Sequence, residues 1–184
     1  GNGLYAKALK NAQEENKKRP GQGRALVMAT LNRTERPESS LLDKSSATKE
    51  MIEAYNKTSF KFKLSDEEVC LRPQNQCSEL DLFFAKNQWD QAAVITAFNP
   101  MSIEKSRDEN IQANHELEKR ILNDSYGYFS GVGEGDDPDW QREDSFLVCG
   151  IELEAALKLA EEFGQYAIAF HILGRETTIE FTGI

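Results

Sequence analysis

Apolar and polar residues alternate in Phe60-Lys61-Phe62-Lys63-Leu64, the period-two signature of a strand with one face buried. The strand extends over 58–64, and Ser65-Asp66-Glu67-Glu68 turns it into a second over 69–71. A longer period governs Leu80, Phe83 and Phe84, which line a helix whose start is read at Ser78, with Asp81 three residues on as in a capping motif. The run Val94-Ile95 has no polar face at all, so it belongs inside a sheet with both sides covered. It ends in Thr96-Ala97-Phe98-Asn99-Pro100, a polar turn at the end of a buried strand.

Downstream, Ser106-Arg107-Asp108-Glu109 fits the reciprocal capping box and opens a helix with Ile111, Asn114, Leu117 and Ile121 inward. Strands follow at Tyr126 to Val132 and around Phe146, the second ending in Cys149. The next helix turns Leu153, Ala156, Leu157, Ala160 and Phe163 inward and stops at Gly164, where a left-handed cap is wanted. A closing hairpin, 166–172 and 177–181, turns at Gly174-Arg175. Upstream, Ala47 to Tyr55 reads as a helix, with Met51, Ile52 and Tyr55 inward. An earlier one carries Leu4, Ala8, Leu9 and Ala12 and must stop at Pro20-Gly21. The segment 25–31 is apolar but too short to assign, and 34–46 is a polar linker containing Pro37.

From Thr58 on, the order ββαβαββαββ alternates too irregularly for a doubly wound sheet. It predicts an α+β fold in which a single mixed sheet of about five to six strands has helices packed on it, plus an N-terminal helical arm. The division expected is 1–46 for the arm and linker and 47–184 for the globular domain.

Charge sharpens this division. The 184 residues carry a net −9, yet residues 1–40 hold eight basic groups against four acidic, leaving −13 on the rest. An acidic body repels nucleic acid and anionic membranes, so neither is expected as its partner; the basic arm could still contact either one, against the plainer reading that it docks on its own acidic domain or stays mobile. No apolar run approaches a membrane span, and the start lacks a signal-peptide pattern. Three cysteines without a framework suit a reducing compartment; cytoplasmic residence is expected. Cys149 reads as core, and Cys70 and Cys77 flank a loop that a reversible disulfide could cross.

The residues with most chemical interest stand at element ends. Thr96 and Asn99 close the buried strand, Asn110 and Asn114 fall in the first turns of the following helix, Glu143 precedes the Phe146 strand, and Gln165 follows Gly164. Amides at strand ends fix a ligand by paired donors and acceptors, and a carboxylate beside them can serve as base or metal ligand. Against this stands the plain alternative that each satisfies backbone groups.

Other motifs lead nowhere definite. The acidic run 134–144 offers carboxylates but does not fit an EF-hand, and reads as a solvated loop. Gly131-Val132-Gly133-Glu134-Gly135 lacks the Lys-Ser/Thr ending of a phosphate loop. His115 and His171 read as a surface and a core histidine, Trp89 and Trp140 as buried area, and no zinc or nucleophile pattern appears. No metal or cofactor is called for.

Four separated motifs, Thr96-Ala97-Phe98-Asn99-Pro100, Glu109-Asn110, Trp140-x-x-Glu143-x-x-Phe146-Leu147-Val148 and Phe163-Gly164-Gln165, together resemble a bacterial family described as domain of unknown function 3293. The resemblance covers about residues 55–184. It marks Asn99, Asn110, Glu143 and Gln165 as motif positions and implies a small cytosolic protein without assigning them roles. The family is often basic or small after Asn-Pro; Met101-Ser102-Ile103-Glu104 here argues against an anion at that turn. Function stays unknown at this level, with a small binding or regulatory module as the leading expectation. Its pocket would use Thr96, Asn99, Asn110, Asn114, Glu143 and Gln165, and its partner would be a small molecule or a protein. The rivals are a metal-assisted hydrolase using Glu143, with Asn99 orienting substrate, and a protein-interaction module acting through the basic arm.

Overall fold

Phe60, Phe62 and Leu64 of β1 (Ser59–Leu64) do point into a core, with Lys61 and Lys63 on the outer side, and Val69 and Leu71 of β2 (Glu67–Leu71) join them. These strands begin the seven-stranded sheet of a computed structural model that describes residues 48–136, 138, 139 and 142–184. The basic arm, its helix, the apolar segment and the linker lie outside the described residues, as does Trp140.

A short helix, α1 (Lys49–Asn56), is capped by Thr48, whose hydroxyl accepts from the Met51 amide at 3.2 Å. After the β1–β2 hairpin come α2 (Ser78–Asn87), β3 (Gln91–Ile95), a 3-10 turn over Pro100–Ser102, α3 (Arg107–Asn123), β4 (Gly127–Glu134), β5 (Glu143–Cys149), α4 (Leu153–Glu162), β6 (Ala167–Ile172) and β7 (Thr178–Phe181). The sheet order is β2-β1-β4-β5-β3-β6-β7, and every strand pair in it is antiparallel. The expected mixed sheet of five to six strands is therefore corrected to seven antiparallel strands. The long α3 and α4 connections return the chain to strands separated in sequence, not to parallel neighbours.

The sheet curls until its edges meet. Pro73, just after β2, forms a parallel bridge to Thr177, just before β7, with Gln74 N to Thr177 O at 2.7 Å and Thr177 N to Asn75 O at 2.9 Å. On the convex face, α3 and α4 bury Leu117, Ile121, Leu153, Ala156, Leu159 and Ala160 against Ile95, Val148 and Phe170. The α4 stripe thus uses Leu159 where Leu157 is expected, and α3 buries Asn110 in place of Ile111. The capping box forms as read: Glu109 N donates to Ser106 Oγ at 3.2 Å, and Ser106 N to the Glu109 carboxylate at 2.9 Å. Gly164 takes the left-handed cap with φ +71°.

The concave face is filled at one end by α2. Leu80, Phe84 and the indole of Trp89 pack there on Phe62, Leu71 and Leu147. Its N-cap is Cys77, which makes no side-chain capping bond, not Ser78. Asp81, freed from capping, reaches His171 Nε2 at 2.7 Å, and His171 Nδ1 meets Thr177 Oγ1 at 2.9 Å. His171 is thus a core histidine that ties α2 to β6 and to the closing bridge, while His115 is exposed. Thr177→Val keeps the shape and loses this hydroxyl contact, so a urea midpoint lower by about 1 kcal/mol of stability is expected. An unchanged midpoint would mean that the contact contributes nothing. All three cysteines are free.

Candidate functional site

At the other end of the concave face, inward positions carry small residues. Gly133 on β4, Ser145 on β5, and Ala167 and Ala169 on β6 leave space that a larger side chain would fill, and residues of α1 complete the lining. A cavity of about 760 Å³ results, walled also by Tyr55, Phe60, Phe98 and Tyr166. That volume lies within the range of small-ligand sites, roughly 300–1,000 Å³.

All six residues singled out from the sequence meet around the end of β3, but they divide by task. Asn114, buried on α3, accepts from Ala97 N at 2.7 Å and donates to Asp144 O at 2.9 Å. Asn110, 1% exposed, accepts from Asn99 N at 2.8 Å and donates to Asn99 Oδ1 at 2.9 Å. Neither lines the cavity. Their amides hold the loop in place, a structural task that buried amides require in any case.

The other four line the cavity. Thr96 Oγ1 donates to Asp144 O at 2.6 Å and accepts from Phe98 N at 3.1 Å. Gln165 Nε2 donates to Phe98 O at 3.0 Å and to Phe163 O at 3.3 Å. Asn99 Oδ1 accepts from Lys105 N at 3.0 Å, and its Nδ2 donates to Glu143 Oε1 at 3.2 Å. Glu143 therefore faces the cavity with one oxygen engaged. Its Oε2 has no hydrogen-bond partner among the described residues.

Backbone strain gathers at the same turn. Asn99, Met101 and Ser102 all hold left-handed φ values of 47°, 58° and 55°. Such residues persist only where surroundings over-determine them. Here Asn110 grips Asn99 on one side, and Gly164 O accepts from Met101 N at 2.7 Å on the other. A Cβ at Gly164 would stand 2.8 Å from Pro100 Cβ, on a backbone that already favours glycine. Gly164→Ala should thus cost about 2 kcal/mol in a denaturant titration; a neutral result would show that the turn yields freely.

Burial governs the local acid–base behaviour. It pushes Glu143 above its ordinary value of 4.5, with the Asn99 bond pulling weakly the other way. Tyr55 is pushed up to about 12, first by burial, then by the charges of Glu143 and Tyr166. The folded state holds the Glu143 proton more tightly than the unfolded chain does. Its contribution to stability is therefore present below the unfolded carboxyl range and is lost as pH rises through the raised folded value. Glu143→Gln should match the parent's melting temperature in acid and exceed it above that window. A parallel pair of melting curves against pH would contradict this.

The sequence reading missed the outer walls. Tyr55, taken as an inward core residue, borders the cavity together with Glu50 and Glu53 on α1. Asp136 and Asp139 of the acidic run stand at its rim rather than apart from it, while Glu134 pairs with Lys61 at 3.0 Å and Arg142 at 2.6 Å. Their signal was indirect: small residues at inward strand positions. Among the described residues no three of His, Cys, Asp and Glu come together as a metal cluster, and no helix is long and apolar enough to cross a membrane.

Residues 95–168 match the model of a family described as protein of unknown function (DUF3293). That span contains all six singled-out residues, from Thr96 to Gln165, but not α1 with Tyr55, nor β1 with Phe60. No curated protein and no solved structure matches the chain.

Proposed function

We propose that the chain is a small-molecule binding module whose ligand enters the cavity at the Asn99-Pro100 strand end. The observation that carries this reading is the cavity itself, about 760 Å³, lined by Thr96, Asn99, Glu143 and Gln165 together with the aromatic residues Tyr55, Phe60, Phe98 and Tyr166. A mostly apolar enclosure with a few convergent polar groups is how ligand sites are commonly built. The strained turn beside it fits a site whose geometry is held at a cost in stability.

The reading is tested by melting the full chain against a metabolite library in the presence of a chelator. At least one compound should raise the melting temperature, as ligands that bind only the folded state must. The shift should shrink in Ala167→Leu, which extends a side chain into the cavity, with circular dichroism checking the fold. A shift that needs a divalent metal and disappears in Glu143→Gln would instead favour a metal-assisted hydrolase. A library without a single hit would count against both.

A further inference from the structure

The cavity's electrostatics are one-sided. Glu50 and Glu53 on α1, Glu104 after the strained turn, Asp136 and Asp139 in the acidic run, and Glu143 on β5 all contribute to its lining. Lys57 is the one Lys or Arg that does so among the described residues. Five of these carboxylates are exposed, against one exposed ammonium, and Glu143 is half-buried; among the described residues this lining repels anions and concentrates cations, the more so because the walls are of low dielectric.

The interior adds two features that acidic residues alone would not supply. Tyr55, Phe60, Phe98 and Tyr166 contribute to the lining, and aromatic rings attract a cation through their negative faces. Beyond them Glu143 is fixed by Asn99 at 3.2 Å through Oε1 while Oε2 stays without a partner among the described residues. A carboxylate held in place, partly withdrawn from water and short of donors, is completed by a group that brings N–H donors and positive charge.

Resting on the reading of the cavity as a ligand site, we propose that its ligand is an organic cation. An apolar or aromatic body would lie against the Tyr55, Phe60, Phe98 and Tyr166 walls, and a protonated amine would bond to Glu143 Oε2. Anionic metabolites such as nucleotides are excluded by the same charges.

Isothermal titration of the full chain with three probes that share an indole body tests this: tryptamine, cationic; 3-ethylindole, neutral; and indole-3-propionate, anionic. Tryptamine should bind at least tenfold more tightly than either of the others and weaken as salt is added. Glu143→Gln, close to isosteric and able to keep the Asn99 bond, should cut tryptamine affinity at least tenfold while leaving 3-ethylindole unchanged. Its melting curve establishes that it folds. Equal or tighter binding of indole-3-propionate or 3-ethylindole, lost in Ala167→Leu, would overturn the cation and leave the cavity a binding site. Tryptamine binding unaltered by Glu143→Gln would remove the carboxylate from the proposal. No heat from any of the three would overturn the cation proposal, while the library screen judges the cavity separately.

Discussion

Asn114→Leu should lower stability by about 3 kcal/mol, or about 10 °C in melting temperature, although the two side chains are similar in size. Asn114 is 6% exposed, and both ends of its amide are engaged: Oδ1 accepts from Ala97 N, and Nδ2 donates to Asp144 O. Leucine would leave the Ala97 amide, on a residue 1% exposed, without its acceptor. Asp144 O keeps the Thr96 hydroxyl, so the loss falls mainly on the donor side. An unmade bond to a buried backbone group costs its full desolvation, which is why the effect exceeds that of an average hydrogen bond. A urea titration measures it. The alternative, in which Asn114 faces a ligand, predicts nearly unchanged stability and altered binding. That outcome would sink the structural assignment of α3's amides.

The division between Asn110 and Asn114 on one side and Asn99, Glu143 and Gln165 on the other marks how far sequence reasoning reached. Polarity at element ends was legible because a buried strand that stops at Thr-x-x-Asn-Pro must satisfy its last backbone groups somewhere. That those residues meet in space was not legible there; the fold alone brings them together around the end of β3. Which of them satisfy backbone and which face open space was not legible. It depends on what lies opposite, and here that is α1, far upstream in the chain. The cavity had an even weaker signature, because it is made by missing side chains. Ser145 and Ala169 read as ordinary strand residues and Gly133 as a turn glycine just past a strand, and only the register of four strands shows them lining one hollow.

The sheet's character was lost for a related reason. Local periodicity marked every strand, since Phe60-x-Phe62 and Val94-Ile95 carry their own burial patterns. Strand direction and neighbour choice are decided by contacts far apart in sequence. Nothing in Ala167 to Ile172 announces that β3 will be its neighbour. The helix does begin at Ser78, but the cap read there failed for a different reason. Ser-x-x-Asp is a fair capping signal, but Asp81 meets a stronger demand from the buried ring of His171.

The glycine run over 131–135 gives the sharpest contrast between a motif and its structural cause. Gly131→Ala should be severely destabilising, lowering the melting temperature by more than about 10 °C, the size expected when a close-packed site is overfilled by about 3 kcal/mol. Gly133→Ala, two residues on, should change stability by less than about 1 kcal/mol. Both glycines lie on β4 opposite phenylalanines of β1: Gly131 faces Phe62, and Gly133 faces Phe60. A Cβ on Gly131 would overlap the Lys61 carbonyl oxygen and the Phe62 ring, so backbone as well as side chain would have to move. A Cβ on Gly133 would stand 3.5 Å from the Phe60 ring, an ordinary contact. Strand residues other than glycine also lose less entropy on folding, which offsets part of any crowding at Gly133. A phosphate-cradling loop would predict comparable folding for both variants and a loss of anion binding in each. Thermal melts of the two variants side by side decide the matter, and a stable Gly131→Ala would show that β1 and β4 are not packed as closely as the register places them.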